Sequence, residues 1–243
     1  MTTIAVALAD AIAATWPPAA TSRVGRFSRA QGAGGGNRVS AARLTDTSGT
    51  GEGIGPDDIQ AVSAAQSASG QTPLFMVFDW QAPLDEALEA EGYRVRDATD
   101  MLCAETGAIA AAPPPVCCFD IWPPLAVQED IWAAGGIGPA RLAIMHRARG
   151  RRTSIFGRIG DRPAGTAFVA LDGEIAMLHA LEIAASSRRR GLARTMVQAA
   201  ADWGGRQGAH RFAALVTQEN AAAQRLYASM GMEAAGRYHY RAK

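Results

Sequence analysis

The stretch from Ile175 to Arg194 constrains the fold of this chain more than any other part of the sequence. It begins with an apolar run, Ile175–Ile183, followed by small polar residues and then Arg188-Arg189-Arg190-Gly191-Leu192-Ala193-Arg194. An apolar run bounded by turn residues is typical of a buried strand, and apolar residues at helical spacing follow it. The sequence therefore predicts a strand, a tight turn and a helix from Arg189 to Trp203.

A turn of this kind is suited to binding a phosphate group. The first turn of a helix has unpaired backbone N–H groups and the positive end of the helix dipole. Gly191 lets an anion approach the main chain, and Ala193 is small. Ser186 or Ser187 is placed to cap the helix, and the arginines add positive charge. The alternative is a solvated surface turn, because runs of charge are usually exposed.

A second motif lies downstream and has the pattern of a capped helix. It runs Asn220-Ala221-Ala222-Ala223-Gln224-Arg225-Leu226-Tyr227-Ala228-Ser229-Met230-Gly231-Met232. Asn220 suits an N-cap, and Gly231 suits the residue that ends a helix. Leu226, Tyr227 and Met230 fall on one face. An ordinary amphipathic helix with Tyr227 in the core is the alternative interpretation.

Together, the two motifs are similar to those of a known family. The spacing Arg188-x-x-Gly191-x-Ala193 resembles the pyrophosphate-binding signature of the GCN5-related N-acetyltransferases, the GNAT superfamily. The downstream motif resembles that superfamily's closing helix, N-x-x-A-x-x-L-Y-x-x-x-G-F, with Met232 in place of the aromatic residue. The turn differs from the Gly-Lys-Ser/Thr and G-x-G-x-x-G patterns of other nucleotide-binding folds.

The resemblance implies an α/β (α+β) fold with a mixed central sheet flanked by helices, over residues 113–243. The prolines at 113–115 suit a linker, since proline fixes the backbone and removes hydrogen-bond donors. Residues 1–112 are expected to form a smaller, degenerate GNAT-like domain without a cradle for CoA. Its predicted last helix, from Leu84 to the exit at Gly92-Tyr93, is similar to the end of a GNAT domain, as in tandem enzymes with one inactive half.

Periodicity and turn residues predict the remaining elements. The predicted strands are Val39–Leu44, Leu74–Phe78, Val116–Phe119, Arg141–Met145, Ser154–Ile159, Gly165–Leu171, Glu174–Ile183, Phe212–Thr217 and Ala234–Tyr240. The predicted helices, besides those already named, are Met1–Trp16, Pro56–Ser69 and Leu125–Ala134. The basic segment Arg147–Arg152 is predicted to be a loop, and Asp172-Gly173 is a strong hairpin turn signal.

The resemblance also implies an activity: transfer of an acetyl group from acetyl-CoA to a primary amine, by direct attack in a ternary complex. The residues that it places on the cofactor are Leu181, Glu182, Ile183, Arg188, Arg189, Arg190, Gly191, Leu192, Ala193, Arg194, Asn220 and Tyr227. The strand residues would line the pantetheine arm, and the arginine-rich turn would hold the pyrophosphate. Asn220 would bond the arm, and Tyr227 would protonate the departing thiolate.

The general base is open between two residues. Leu178-His179-Ala180-Leu181-Glu182-Ile183 resembles the L-H-x-L-x-V of serotonin-type arylalkylamine acetyltransferases, in which that histidine helps remove the proton. Histidine suits this task at neutral pH, but His179 is equally consistent with a satisfied core residue. Glu182 is the second candidate. His239 could line an acceptor pocket, although an alternating terminal strand explains it as well.

Composition limits the partners. The net charge of +1 argues against nucleic acid or a membrane surface as the main partner, and the absence of a long apolar run or a basic leader predicts a cytoplasmic protein. The cysteines are Cys103, Cys117 and Cys118, without C-x-x-C spacing, so neither a disulfide framework nor a metal site is expected.

Several alternatives stay open at this stage. A homodimer is possible, and a non-catalytic acyl-CoA sensor is the alternative function. Antibiotics, polyamines, amino acids and protein N-termini are all open as the acceptor. A hydrolase is disfavoured because a G-x-S-x-G nucleophile motif is missing.

Overall fold

The computed structural model describes residues 2–243, so Met1 of the predicted first helix lies outside the described residues. The helices are α1 (Thr3–Thr15), α2 (Asn37–Ser40), α3 (Pro56–Ala68), α4 (Ala82–Ala90), α5 (Thr106–Ile109), α6 (Ala126–Ala134), α7 (Pro139–Arg147), α8 (Leu192–Arg206) and α9 (Ala221–Ala228). The strands are β1 (Ala20–Val24), β2 (Phe27–Gln31), β3 (Arg43–Leu44), β4 (Leu74–Phe78), β5 (Arg94–Glu105), β6 (Cys118–Ile121), β7 (Arg152–Ile159), β8 (Arg162–Asp172), β9 (Ile175–Ile183), β10 (Arg211–Thr217) and β11 (Glu233–Ala242).

A mixed sheet with helices on both faces organises the molecule. Across residues 2–243, the large sheet has the order β4-β11-β5-β10-β9-β8-β7-β6, and β1-β2-β3 form a small antiparallel sheet. Helix α8 packs against β7, β8 and β9, while α1 and α6 pack on β8 and β9. Successive residues of β8 serve opposite faces, since Val169 joins the core under α8 and Phe168 joins Trp132 of α6. The predicted mixed α/β fold is confirmed.

The large sheet is continuous across the prolines. Strand β5, which precedes them, lies hydrogen-bonded between β10 and β11, and β4 pairs with β11 at the edge. One core cluster likewise joins Leu8 and Met76 to Met177 and Tyr238. The domain division at 113–115 stays a prediction. With a boundary there, β4 and β5 of the N-terminal segment would still be part of the sheet that the C-terminal segment forms.

Two predicted strands are wrong. Arg141–Met145 belongs to helix α7, because Gly138 is its N-cap and Pro139 occupies the first turn, where proline is favourable. Within the predicted strand Val39–Leu44, the chain instead forms α2 and then the two-residue β3. Apolar runs this short fit either element, and the preceding glycine or proline decides between them.

Other boundaries shift by a few residues. The first strand after the prolines begins at Cys118 rather than Val116, since Val116 has a φ of 56° and turns the chain. The basic loop is shorter than predicted, because Arg147 ends α7 and Arg152 begins β7. The long helix begins at Leu192 rather than Arg189. No helix within residues 2–243 has the length and apolar character that a membrane crossing requires.

Candidate active site

A cavity opens where two parallel strands part. The pairing of β9 with β10 runs from Ile175 opposite Arg211 to Leu178 opposite Ala214, and both strands continue beyond it. A cavity of about 260 Å³ occupies the gap and is here termed the splay cavity. Its lining residues are Arg38, Leu178, His179, Ala180, Leu181, Leu215, Val216, Thr217, Asn220, Ala223, Leu226 and Tyr227.

A bulge in β9 shapes the wall of this cavity. Phe168 of β8 faces His179, but the next registered pair is Thr166 with Glu182, so Ala180 and Leu181 together oppose one residue of β8. Ala180 has a φ of 51°, which is uncommon for a residue with a Cβ atom. The fully buried Trp132 donates from Nε1 to the Ala180 carbonyl oxygen at 2.7 Å and holds this conformation.

The predicted phosphate-binding turn follows β9 directly. A short 3₁₀ turn, Ala185–Ser187, is followed by the arginines, and Gly191 is the N-cap of α8 with a φ of 84°. Glycine adopts this left-handed conformation without strain. The predicted cap by Ser186 or Ser187 is therefore wrong, because the helix begins farther along and its cap has no side-chain hydrogen bond.

The arginines of the turn divide into two pairs. Arg188 donates to Glu182 Oε1 and to the Ile183 carbonyl, both at 3.0 Å, and Arg194 donates to Ser229. Arg189 and Arg190 are exposed. In the part of the chain that the structure describes, their side chains make no hydrogen bond, so they are free to meet an anion.

Helix α9 supplies the opposite wall and is fixed by its N-terminal cap and by a hydrogen bond from its middle. Asn220 Oδ1 accepts from the Ala223 N–H at 3.1 Å, which confirms the predicted cap. Gln224 donates to Asp100 Oδ2 at 2.9 Å, and Arg237 donates to the other oxygen of the same carboxylate at 2.7 Å. Asp100 lies on β5, so the segment before the prolines helps to position α9.

Tyr227 faces the splay cavity from α9 and is 6% exposed. Burial raises the pKa of its hydroxyl to about 12. The hydroxyl therefore stays protonated at neutral pH and can donate a hydrogen bond into the cavity.

Both ring nitrogens of His179 are already bonded. Nε2 lies 2.9 Å from Thr15 Oγ1, and Nδ1 lies 3.2 Å from Arg38 Nη1. Since arginine can only donate, Nδ1 accepts and Nε2 carries the proton. Thr15 donates in turn to the Ala11 carbonyl oxygen at 2.6 Å. Burial and the positive charge of Arg38 lower the pKa of His179 well below the ordinary value. This geometry favours the satisfied core residue over the free base.

Glu182, the second candidate base, and His239, the candidate for the acceptor pocket, are also paired. Glu182 forms the ion pair with Arg188, and its side chain is 17% exposed. It packs so closely over Gly135 that a Cβ atom there would lie 2.6 Å from Oε2. His239 lies 2.6 Å from Asp85 Oδ1. Its chain neighbours Tyr238 and Tyr240, rather than His239 itself, line the second cavity described next.

A second cavity of about 270 Å³, here termed the adjoining cavity, meets the splay cavity. Arg38, Ala180, Leu215 and Thr217 line both. Its further lining residues are Trp16, Gly35, Gly36, Asn37, Asp97, Thr99, Ile137, Arg141, Tyr238 and Tyr240. Most of them come from the segment before the prolines. The two cavities therefore meet at the bulge of β9.

Sequence reasoning missed Arg38, Trp132 and Asp100. A buried tryptophan usually needs a partner for its N–H group, which is a weak signal for Trp132. Arg38 and Asp100 carry no local motif. Over residues 2–243, no group of three or more His, Cys, Asp or Glu side chains is arranged to hold a metal ion.

Comparison with protein-family models finds a match to part of the chain. Residues 116–232 match the family model described as the acetyltransferase (GNAT) family. No curated protein matches the chain in sequence.

Solved structures resemble the whole chain. A GCN5-related N-acetyltransferase from Kribbella flavida is 16% identical with a TM-score of 0.76, over 100% of this chain and 96% of its own. A tandem GNAT protein from the clavulanic acid biosynthesis pathway is 16% identical with a TM-score of 0.62, over 96% and 86%. A GCN5-related N-acetyltransferase from Sphaerobacter thermophilus is 14% identical with a TM-score of 0.61, over 84% and 72%. At these identities the likeness establishes the fold.

Proposed function

Residues 116–232 belong to the GNAT acetyltransferase family, and from this premise we propose that the protein moves an acetyl group from acetyl-CoA to a primary amine. The amine attacks directly, in a ternary complex. The observation that carries the proposal is the parting of β9 and β10 beside the turn at Gly191. It offers one continuous path for a pantetheine arm and a pyrophosphate, ending where the two cavities meet.

The pantetheine arm would lie along Leu181, Glu182 and Ile183. The bulge supports this role, because a β-bulge leaves backbone groups without ladder partners. We assign the N–H groups at the bulge as donors to the thioester oxygen when it becomes an oxyanion. Trp132 keeps that backbone in place by occupying the Ala180 carbonyl.

The pyrophosphate would bind at the start of α8. The N–H groups of Leu192, Ala193 and Arg194 belong to the first turn of the helix, which leaves such groups unpaired. Arg189 and Arg190 add free positive charge. Arg188 and Arg194, which already have protein partners, hold the turn in shape and supply charge nearby.

Tyr227 would donate a hydrogen bond to the departing thiolate. A free thiol titrates near ~8.5, whereas the pKa of Tyr227 is about 12. The tyrosine therefore stabilises the departing thiolate by donating a hydrogen bond, and a net transfer of its own proton is unfavourable. The attacking nitrogen becomes acidic once it bonds to the acyl carbon, and its proton neutralises the sulfur, directly or through the Tyr227 hydroxyl.

The amine must lose a proton before it attacks, because alkyl amines are charged at neutral pH. We assign His179 to positioning Arg38, since its acceptor nitrogen is used in that contact. The amine proton then leaves to solvent in the adjoining cavity. Glu182 stays tied to Arg188 in this mechanism.

The segment before the prolines would be a degenerate GNAT-like half. The structural likeness to a tandem GNAT protein supports this inference. Within residues 1–112 the pattern Arg-x-x-Gly-x-Gly occurs at Arg29–Gly34, but it leads into the four-residue helix α2, whereas Arg188–Ala193 leads into the fifteen-residue helix α8. That segment would build the acceptor side, since it supplies Trp16, Gly35 and Arg38 to the adjoining cavity.

Release of thiol from acetyl-CoA with a panel of primary amines tests the proposal. We expect thiol release that depends on the amine, and an acetylated amine by mass spectrometry. An acyl-CoA sensor would bind CoA with the same turn and release no thiol with any amine. That result would overturn the enzymatic proposal.

A further inference from the structure

We propose that the amine acceptor also carries a carboxylate, which Arg38 binds in the adjoining cavity. The acceptor is then a small amino carboxylate, such as an amino acid, with its amine and carboxylate a few bonds apart. This inference rests on the proposed acetyl transfer and names the class of its second substrate.

The Arg38 guanidinium is charged, and one of its donors has no protein partner in the described residues. Arg38 lies on α2 and lines both cavities. Its Nη1 donates to His179, and its Nε is buried without a partner in the described residues. Burial opposes its charge, but Tyr238 and Tyr240 raise the pKa of Arg38, so it stays protonated. A buried donor on a charged group is costly to leave unpaired.

The charges that line the adjoining cavity do not balance. Arg38 and Arg141 both line the adjoining cavity, and Asp97 is its single carboxylate. Asp97 already accepts from Asn37 Nδ2 at 2.9 Å. Within the described part of the chain, neither arginine has an ion-pair partner. His179 is neutral, so the cavity has an excess of positive charge. A ligand with a negative group would balance it.

The shape and the position of the Arg38 guanidinium also suit a carboxylate. The contact of Nη1 with His179 leaves Nε and Nη2 of Arg38, two parallel donors that fit the two oxygens of a carboxylate. The side chains of Tyr238 and Tyr240 also lie beside this guanidinium, so a carboxylate would share it with their hydroxyl groups. His179 directly precedes Ala180 at the bulge, so the guanidinium is held beside the place where the thioester would lie. An amine a few bonds from a carboxylate on Arg38 can then reach that carbon.

The same features disfavour two of the open acceptors. A polyamine would bring a second positive charge to two unpaired guanidinium groups, which is repulsive. A cavity of about 270 Å³ also falls just below the usual range for drug-sized ligands, so it suits a small metabolite better than a protein N-terminus.

Matched acceptors test the inference on the unmodified protein. A set of α-amino acids would be compared with the amide and the decarboxylated amine of each, at saturating acetyl-CoA. We expect kcat/KM for the best amino acid to exceed that of both of its partners by at least about 10-fold, because charge-assisted hydrogen bonds contribute that much. Equal or better rates with the amide or the amine would overturn the inference and leave acetyl transfer standing.

A binding measurement keeps the two proposals separable. N-acetylglycine and its neutral amide would be titrated calorimetrically into the CoA-loaded protein. Preferential binding of the carboxylate supports the inference even if no amine releases thiol, a result that would overturn the acetyl transfer alone. Equal affinity for the two ligands would contradict the Arg38 site.

Variants of Arg38 test whether this side chain causes the preference for a carboxylate. Arg38→Gln should lower kcat/KM for the preferred amino acid by about 10- to 100-fold, mainly through the KM for the amino acid. Arg38→Lys should recover part of the lost kcat/KM, since lysine keeps the positive charge but lacks the two parallel N–H donors of arginine. Arg23→Gln, at an exposed arginine on β1, is the matched control. Equal losses for amino acid and amide in a folded Arg38→Gln protein would assign Arg38 a structural role instead.

Discussion

The chain before Pro113 and the chain after Pro115 contribute to the two cavities in different ways. After the prolines, the contributing residues are close together in sequence: a bulged strand, a glycine-capped turn and a capped helix. Before them, the short run Gly35–Arg38 and single side chains on separate elements contribute. Thr15 and Arg38 hold His179, and Asp100 holds α9 through Gln224.

This difference indicates that the two segments have different roles. A turn that binds pyrophosphate needs consecutive backbone N–H groups, so it must be continuous in sequence. A pocket that recognises a varied acceptor can be assembled from distant side chains. We infer that the C-terminal segment binds the cofactor and the N-terminal segment selects the acceptor. Each experiment below tests one side of that division.

The largest effect is expected at the turn of the C-terminal segment. Gly191→Glu should abolish CoA binding, because its carboxylate would enter the pyrophosphate site. A residue with a Cβ atom is also strained at the φ of 84° that Gly191 adopts. Calorimetry should show one CoA per chain in the unmodified protein and none in the variant. Gly160→Glu is the matched control, since Gly160 also has a positive φ, with open space around it.

Two results would contradict the inference that the C-terminal segment alone binds the cofactor. Unchanged CoA affinity in a folded Gly191→Glu protein would remove the cofactor from that turn. Two equivalents of CoA at saturation would give the segment before the prolines a cofactor site of its own.

The next effect concerns turnover. Tyr227→Phe should lower kcat by about 10²-fold, as is typical for loss of one general acid or donor, while CoA affinity is largely kept. Such a split marks an interaction made in the transition state. Tyr93→Phe is the control from the N-terminal segment, since that hydroxyl bonds Ser63. A Tyr227→Phe enzyme with full turnover would show that the leaving group needs no such donor.

A smaller effect is expected at His179, where the two segments meet. His179→Gln should raise KM for the acceptor several-fold by releasing Arg38, and the acidic limb of the pH–rate profile should remain. Loss of that limb with kcat reduced would restore His179 as the base.

The stability of the same variant carries its own pH signature. The folded-state pKa of His179 is lowered, so the unfolded chain binds the proton more readily. Protonation therefore destabilises the native protein as the pH falls below ~6.5. In urea titrations, the stability difference between the unmodified protein and His179→Gln should shrink from pH 7 toward pH 5. A constant difference would indicate that His179 is exposed to solvent.

The smallest effect on turnover is expected at Asp85, which ties α4 to β11. Arg241 binds both oxygens of Asp85, at 2.7 and 2.8 Å. Despite partial burial, the hydrogen bonds from Arg241 and His239 lower the pKa of Asp85. Its stabilisation is therefore present above the unfolded value near ~3.9 and is lost as the pH falls below it.

Asp85→Asn should cost about 2 kcal/mol at pH 7 and leave kcat unchanged. The loss should fade as the pH falls toward 3. Glu86→Gln, one position along the same helix, is the control. A large change in kcat would link this contact to the site after all.

The sequence predicted what is encoded locally. The Asn220 cap and the Gly191 turn depend on neighbouring residues, and both lie where the motifs indicated, although the turn reaches Leu192 before the helix begins. Arg38 could not be found, because its role depends on a contact with a residue 141 positions away. The prediction for Arg141–Met145 failed because a five-residue apolar pattern does not separate helix from strand.

The placement of β5 between β10 and β11 has a consequence for the order in which the protein is made. A ribosome delivers β4 and β5 long before β11, the strand that joins them, is synthesised. Until then, the nascent chain exposes unpaired strand edges, which invite association with other chains. The sheet can close only after β11 has emerged, so deletion of residues 233–242 would remove the strand that pairs with β4 and one of the two neighbours of β5. We expect the sheet to form only once both segments have been synthesised, rather than half by half.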